Sequence, residues 1–428
     1  MAKFSGFALS AVLIAVVNQP SAQAGVTQSV EDALNFYHYG NNGAVKIDLN
    51  YRYENVNEDN KLDSATGLPL AKQPNTANAN TARIRAGLLS PVLLGFQGYA
   101  EFEGNWAMQP DFNSTRNSKT GFSTIADPEK AELNQLWLSY NGIPDTIIKG
   151  GRQRIKFDDD RYIGNVGWRL METTFDSVLV THVNQQLFGL VINAGYIGNV
   201  QTFTDTTENI NAPILNVSYK LGDYGNIIGY GYWLDYIEKE NYEKSNETYG
   251  LRLTNFQKPG DTLPITENLG VVYTAEWAHQ QNYGHGQTPY EADRINLMGG
   301  LTAWNVTLQG AMEQLNGYGK DKHFDTPLGT NHAFQGWADL FLTTPDNGIR
   351  DVFGTAHVLL NRGNVVLTGV YHDFSDDTGG IHYGDEWDFQ ALWKLGKHYS
   401  VLAKYANYSA DKFGTDTQKI WVQGNISF

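Results

Sequence analysis

The sequence predicts an all-β fold, a transmembrane antiparallel β-barrel that occupies residues 25–428. Two observations support this prediction. Strands with apolar side chains on one face and polar side chains on the other recur along nearly the whole chain. After the N-terminal leader, no segment is apolar enough for a membrane helix, and a closed barrel is the other structure that can span lipid.

Residues 1–24 are predicted to be a secretory signal peptide. Lys3 supplies a positive charge, residues 7–17 form an apolar run, and Ala22 and Ala24 form a small-x-small cleavage site. The apolar run is shorter than the ~20 residues of a membrane-spanning helix, which disfavours the alternative of an N-terminal anchor. Residues 30–39 fit a short helix whose role the sequence does not assign.

The first mature strand shows the barrel pattern clearly. A row of apolar side chains opposite a row of charged ones indicates that one face meets lipid and the other meets a wet lumen. The apolar row is Val45, Ile47, Leu49, Tyr51 and Tyr53, and the polar row is Lys46, Asp48, Asn50, Arg52 and Glu54.

The spacing of such runs predicts about 18 spanning strands, because bacterial single-chain barrels have even strand numbers and alternate short turns with long external loops. Residues 334–342 resemble a further strand, but counting them would break that alternation, so we assign them to a long external loop. Residues 255–266 are long for a periplasmic turn, and the sequence offers no account of them. A barrel of this size can enclose an aqueous channel.

Composition excludes some classes of function. The formal charge is −15, which argues against a nucleic-acid partner because such proteins need basic surface. The chain has no cysteine, so disulfides do not stabilise it. We find no nucleophile motif and expect neither catalysis nor a cofactor.

The densest chemistry lies at residues 149–169, in the predicted third external loop, which we expect to fold into the lumen. Two hypotheses stay open for it: its arginines bind carboxylates of a solute, or its acids pair with those arginines and pin the loop. The acids could also hold a divalent cation through oxygen ligands, which is a weak alternative. The arginines are Arg152, Arg154, Arg161 and Arg169, and the acids are Asp158, Asp159 and Asp160.

Several blocks of the chain resemble the alginate export family of outer-membrane proteins. The block at residues 151–176 shows the strongest resemblance, and the blocks taken together are specific to the family. The others are residues 51–55, 80–87, 126–134, 332–339 and 343–348.

The resemblance implies an 18-stranded barrel in the bacterial outer membrane, with a pore selective for anionic sugars and arginines as the selectivity device. Phe428 is similar to the terminal signal that the barrel-insertion machinery reads. The pore-lining residues carried over are Arg83, Arg85, Arg152, Arg154, Arg161 and Arg169, with Asp176 and Asp339 as acidic partners.

The first functional hypothesis is therefore a passive channel for anionic carbohydrate such as an alginate-like polyuronate. The alternative is a general small-solute porin whose lumenal ion pairs are structural, and a barrel enzyme or adhesin is a third candidate. The expected partners are an anionic sugar or small anionic solute and outer-membrane lipid. Transport direction, oligomeric state and any periplasmic partner are not assigned by the sequence.

Overall fold

The structure, a computed structural model, describes residues 43–59, 73–184, 187 and 189–428. The predicted signal peptide and residues 30–39 lie outside the described residues. Within the described ranges the regular structure is almost entirely β-strand, with four short 3-10 turns at Gly222–Tyr224, Lys239–Lys244, Asn331–Ala333 and Asn361–Gly363. No helix there is long and apolar enough to cross a membrane.

The strands form one closed antiparallel sheet. Each strand pairs with its neighbours in chain order, and β1 pairs with β19 from Asp48 opposite Ser427 to Asp59 opposite Asp416, which closes the cylinder. In chain order the strands are β1 Ala44–Asp59, β2 Ala77–Leu89, β3 Phe96–Asp111, β4 Lys130–Ile143, β5 Thr146–Gln153, β6 Thr174–Asn184, β7 Leu190–Gln201, β8 Thr207–Lys220, β9 Asn226–Tyr236, β10 Asn246–Thr254, β11 Leu263–Thr266, β12 Leu269–Asn282, β13 Glu291–Ala303, β14 Val306–Leu315, β15 Ile349–Leu360, β16 Val365–Ser375, β17 His382–Leu395, β18 Tyr399–Ala410 and β19 Asp416–Ser427.

Eighteen of these strands span the wall, so the predicted strand number is confirmed. The remaining strand, β11, is four residues long and pairs only with the start of β12. It accounts for the long turn at residues 255–268, because part of that turn is a small hairpin at the short-turn end. Residues 334–342 lie in a loop between β14 and β15, as predicted.

The two faces of the wall differ as the alternation predicts. On β1 the side chains of Leu49 and Tyr51 are 39% and 45% exposed on the outside, whereas Asn50 and Arg52 are 6% and 2% exposed inside. A belt of exposed apolar residues around the outside is the surface that lipid covers. Antiparallel pairing between all neighbours satisfies the backbone within that belt.

The hairpin of β7 and β8 extends further than the sequence predicts. Residues 197–213 lack the apolar alternation and are predicted to be loop, yet most of them continue the ladder, and only residues 202–206 form the connection. Outward side chains such as Asn209 and Asn211 are polar there. The pairing therefore continues beyond the apolar part of the outer face, where no apolar signal is required.

Candidate functional site: the loop-filled lumen

Two long loops fold into the lumen and contact each other. We number the loops at the long-loop end in chain order, so that L3 is residues 154–173 and L7 is residues 316–348. The backbone nitrogen of Gly164 in L3 donates to Leu328 in L7 at 2.9 Å, and that of Thr330 in L7 donates to Asp160 in L3 at 2.8 Å. L3 enters the lumen as predicted, and L7, whose Asp339 the resemblance assigned to the pore, joins it there.

The first ionic cluster holds the two ends of L3 against β2 and β3. Arg154 pairs with Glu101 at 2.7 Å, and Arg85 pairs with Glu103 at 2.6 Å. Both arginines also contact Glu172 near the end of L3. Arg85 donates in addition to the carbonyl of Leu170 at 3.1 Å, so the wall binds both the backbone and the side chains of the loop.

Arg83 lies beside this cluster on the lumenal face of β2. It pairs with Asp48 of β1 and donates to the carbonyl of Leu170 at 3.3 Å. Arg83 and Arg85 are therefore lumenal, as predicted, but both are turned toward L3 and acidic neighbours. Their side chains are 7% and 11% exposed, which leaves little guanidinium surface for a solute.

The second cluster surrounds Arg169 where L3, L7 and β1 meet. Arg169 lies 3.4 Å from Glu54, 3.6 Å from Asp127 and 3.3 Å from Asp339. Burial alone would lower the pKa of Arg169, but the three carboxylates outweigh it and raise that pKa above its ordinary value. The arginine therefore stays charged, and it ties three segments of the chain together.

Asp339 is the L7 member of this cluster. It also accepts from Lys419 at 2.9 Å and contacts His332 at 2.5 Å. Burial would raise the pKa of Asp339, but His332, Lys419 and Arg169 outweigh it and lower the pKa well below the usual range. Asp339 is thus an ionised partner of Arg169.

The third cluster fixes the tip of L3 to the opposite wall. Arg161 lies 3.4 Å from Glu313 of β14, and that carboxylate also accepts from Arg294 at 2.6 Å. Asp159 pairs with Arg252 of β10. L3 is therefore held at both ends and at its tip, across the width of the barrel.

Arg152 and Asp176, which were predicted to line the lumen, do not lie there. They pair with each other at 2.8 Å and stand directly opposite in the sheet. Arg152 also lies opposite Leu136, whose side chain is 53% exposed on the outer face. Because directly opposite residues share a face of the sheet, this pair lies on the outside of the wall, and its assignment to the lumen is corrected.

The three consecutive aspartates of L3 have separate partners. Asp158 accepts from Asn216 at 2.8 Å, Asp159 binds Arg252, and Asp160 accepts from Lys156 at 2.8 Å. Their carboxylates do not converge. The one group of metal-type ligands found close together among the described residues is elsewhere, on the exposed rim at Asp373, His382 and Asp385.

The lumen also contains an apolar core that the sequence analysis missed. Apolar residues of L3 and L7 pack against aromatic side chains that point inward from the wall. On β9, Tyr230, Tyr232 and Tyr236 are buried on the lumenal face, which is the face expected to be polar. The sequence did contain a signal for a loop packed against this strand, namely aromatic residues at inward-facing positions. The L3 and L7 members are Ile155, Phe157, Tyr162, Ile163, Phe324, Leu328, Ala338 and Phe341.

The loops leave one cavity on each side of their contact. The cavity toward the long-loop end is about 300 Å³ and is lined by Arg169, Lys244, Asn331 and threonines of L3, of L7 and of the β7–β8 connection at residues 202–206. The other is about 470 Å³ and lies between the L3 aspartates, Arg252 and Phe353. L7 contributes to both cavities, so its position affects the width of the lumen at two levels.

Comparison with known families tests the resemblance directly. Residues 89–197, which run from the end of β2 into β7 and include all of L3, match a family model described as alginate export. The family resemblance is confirmed for this segment. No curated protein matches the chain.

Solved structures share the fold at low sequence identity. OpdL of Pseudomonas aeruginosa is 15% identical, with a TM-score of 0.66 over 90% of this chain and 98% of that one. OccAB4 of Acinetobacter baumannii is 12% identical, with a TM-score of 0.66 and the same coverage. OpdK of P. aeruginosa, solved with vanillate, is 11% identical, with a TM-score of 0.67 over 90% and 98%.

The alginate-export segment and the barrel together define the coarse class of the protein. It is a porin-like β-barrel of the bacterial outer membrane. The chain shares the barrel fold of OpdL, OccAB4 and OpdK, and the alginate-export match covers residues 89–197 of it.

Proposed function

We propose that this barrel is a passive channel for small anionic carbohydrate, with uronates as the solute class. Arg154 carries the proposal. It is the only one of the five lumenal candidate arginines with substantial exposed side chain, 31%, while its neighbours Arg85 and Arg83 have 11% and 7%. An exposed guanidinium can exchange part of its protein contacts for a solute carboxylate and release it again, as passive transport requires.

The family match and the size of the lumenal cavities support this solute class. Cavities of about 300 and 470 Å³ have room for one or a few sugar units. OpdK, whose fold this chain shares, has been solved with vanillate, a small carboxylate. The segment that matches the alginate-export model contains L3 and therefore Arg154, and this overlap supports the proposal.

The test compares two arginines that are two residues apart in the chain, one on the outer face and one in the lumen. Arg154→Gln removes a positive charge from the lumen, and we expect the reversal potential in planar bilayers to shift toward cation preference. A charge about 4 Å from a passing ion in water contributes about 1 kcal/mol, or roughly fivefold in relative permeability. Arg152→Gln removes the same charge from the outer face and should leave the reversal potential unchanged. Equal behaviour of the two variants would refute the role of Arg154.

A second function, a general small-solute porin, is favoured by the pairing of the lumenal arginines. Arg83, Arg85, Arg154, Arg161 and Arg169 each contact at least one carboxylate. Uronate oligomers distinguish the two functions: they should reduce the current of a selective channel at low concentration, while neutral sugars of equal size should not. Equal, weak effects of both sugars would favour the general porin.

A further inference from the structure

We propose that Lys404 determines the width of the channel, as a positioning residue that couples L3, L7 and the wall. This inference rests on the proposed channel function but concerns a different residue and a different property of the pore. It starts from a lysine side chain that is buried inside the barrel, on β18, with 6% exposure.

The ammonium of Lys404 lies among aromatic rings. Its Nζ is 3.7 Å from the centre of the Trp337 ring, 4.2 Å from that of Trp168 and 5.6 Å from that of Trp421. Nζ is also 2.8 Å from His332 Nε2. In the described part of the chain no carboxylate lies within 4.0 Å of Nζ, so its direct contacts are ring faces and one imidazole, while Asp388, Asp339 and Glu386 attract the ammonium from further away.

These partners come from three different elements. Trp168 belongs to L3, His332 and Trp337 belong to L7, and Trp421 belongs to β19. The imidazole of His332 stacks on Trp168 with ring centres 4.3 Å apart and an angle of 4° between the planes. Trp168 in turn meets Trp421 edge to face at 5.6 Å. Lys404 is thus the cation at the point where both loops meet the wall.

The arrangement makes the two loops depend on each other. If L7 moved away, the buried ammonium would lose Trp337 and His332, and Trp168 of L3 would lose its stacked ring. Each loop therefore supplies contacts that the other loop needs in order to stay docked, so the docked positions of the two loops are linked. Because L7 lines both lumenal cavities, the coupling keeps both levels of the channel narrow.

Single-channel recording of the full-length variant tests the inference. Lys404→Met keeps the length of the side chain but removes the cation, and we expect the conductance in KCl to rise about twofold with frequent transitions between levels. Trp337→Leu removes the same contact from the L7 side and should have the same effect. Wild-type conductance of both variants would overturn the proposal.

A matched control separates coupling from loss of lumenal charge. Lys46 of β1 lies 5.4 Å over the ring of Tyr99, on the wall rather than between the loops. Lys46→Met removes one positive charge without touching L3 or L7, and its conductance should stay at the wild-type level. A rise equal to that of Lys404→Met would show that charge, not loop position, sets the conductance.

The readout distinguishes this inference from the proposed function. Conductance in KCl reports the width of the channel whatever its natural solute. Failure of the uronate experiments would leave a Lys404 effect intact, and unchanged KCl conductance would refute the Lys404 proposal even if uronates blocked the channel.

Discussion

Arg152 and Arg154 show that the orientation of a side chain depends on where its strand ends. The two residues have the same parity, so the sequence places both on one face. The strand β5 ends at Gln153, however, and the chain turns into the lumen there. Arg154 therefore meets Glu101 inside, while Arg152 meets Asp176 on the outer face. Alternation predicts orientation within a strand and does not extend past its last residue.

His332 makes the docking of L7 dependent on pH. Burial lowers its pKa to about 3, and Lys404 and Arg169 act in the same direction, while Asp339 opposes them. In an undocked loop the imidazole would have its ordinary pKa of about 6.5. The undocked state therefore binds a proton that the docked state excludes, so docking weakens as pH falls from about 6.5 to about 3, by up to roughly 5 kcal/mol.

We accordingly expect the single-channel conductance to rise when the pH is lowered through this range. His332→Gln cannot take up the proton, and its conductance should vary much less with pH. His285→Gln is the control, because His285 pairs with Asp235 on the exposed rim and does not touch Lys404 or Arg169. A pH response of His332→Gln equal to that of the wild type would contradict this assignment.

At the residue scale, strand alternation and the family resemblance place most of the candidate charged side chains inside, but Arg152 and Asp176 lie outside, and most of the partners are not predicted. Arg83, Arg85, Arg161 and Arg169 are lumenal, as predicted. The contacts that hold them come from L3, L7 and distant strands, for example Arg169 with Glu54 and Asp339, which are far from it in sequence. Such pairings depend on how the loops fold, and strand periodicity carries no information about that.

At the scale of elements, one glycine enables the departure of L3 from β5. Gly151 has φ of +120°, and a Cβ there would lie 2.3 Å from the carbonyl oxygen of Leu136 on the neighbouring strand. Gly151→Ala should therefore destabilise the barrel by more than about 1 kcal/mol. Urea unfolding in detergent, followed by tryptophan fluorescence, measures this.

The adjacent Gly150 is the matched control for Gly151. A Cβ on Gly150 would meet only Cγ2 of Val178 at 3.7 Å, an ordinary contact. Gly150→Ala should leave the unfolding midpoint close to that of the wild type. Equal shifts of the two midpoints would mean that strain at Gly151 does not determine the local structure.

The prediction of elements succeeds or fails according to their environment. Strands inside the lipid belt have an apolar face, so their number and order follow from the sequence. The extension of β7 and β8 beyond the belt has no such face. L7 was assigned correctly as a loop, but its entry into the lumen depends on Trp337, Phe341 and the inward aromatics of several strands, which no local pattern brings together.

At the scale of the whole molecule, the barrel closes where its two ends meet. The backbone nitrogen of Phe428 donates to the carbonyl of Ile47 at 2.8 Å, and its ring stacks on His398 at 4.7 Å. Closure is predictable in outline, because a spanning sheet in lipid must not leave an open edge. The register between β1 and β19 is not, since it joins residues at opposite ends of the chain.

Phe428 provides a test of the predicted assembly signal. Phe428→Ala should lower the amount of barrel inserted into the outer membrane in cells, while refolding of the purified chain into detergent should change little. Phe96→Ala is the control, since Phe96 is an aromatic residue at the same end of the barrel and its ring lies 4.7 Å from that of Tyr140. Equal losses for the two variants in cells would indicate a general role of rim aromatics instead of a terminal signal.

The inward folding of L3 and L7 also changes what the cell displays to its surroundings. Their central parts are buried between ionic clusters and aromatic rings, so a protease or antibody added from the long-loop side should reach other segments of the chain first. Substitutions in those segments that leave the ionic clusters intact should alter recognition at that end of the barrel without moving L3 or L7.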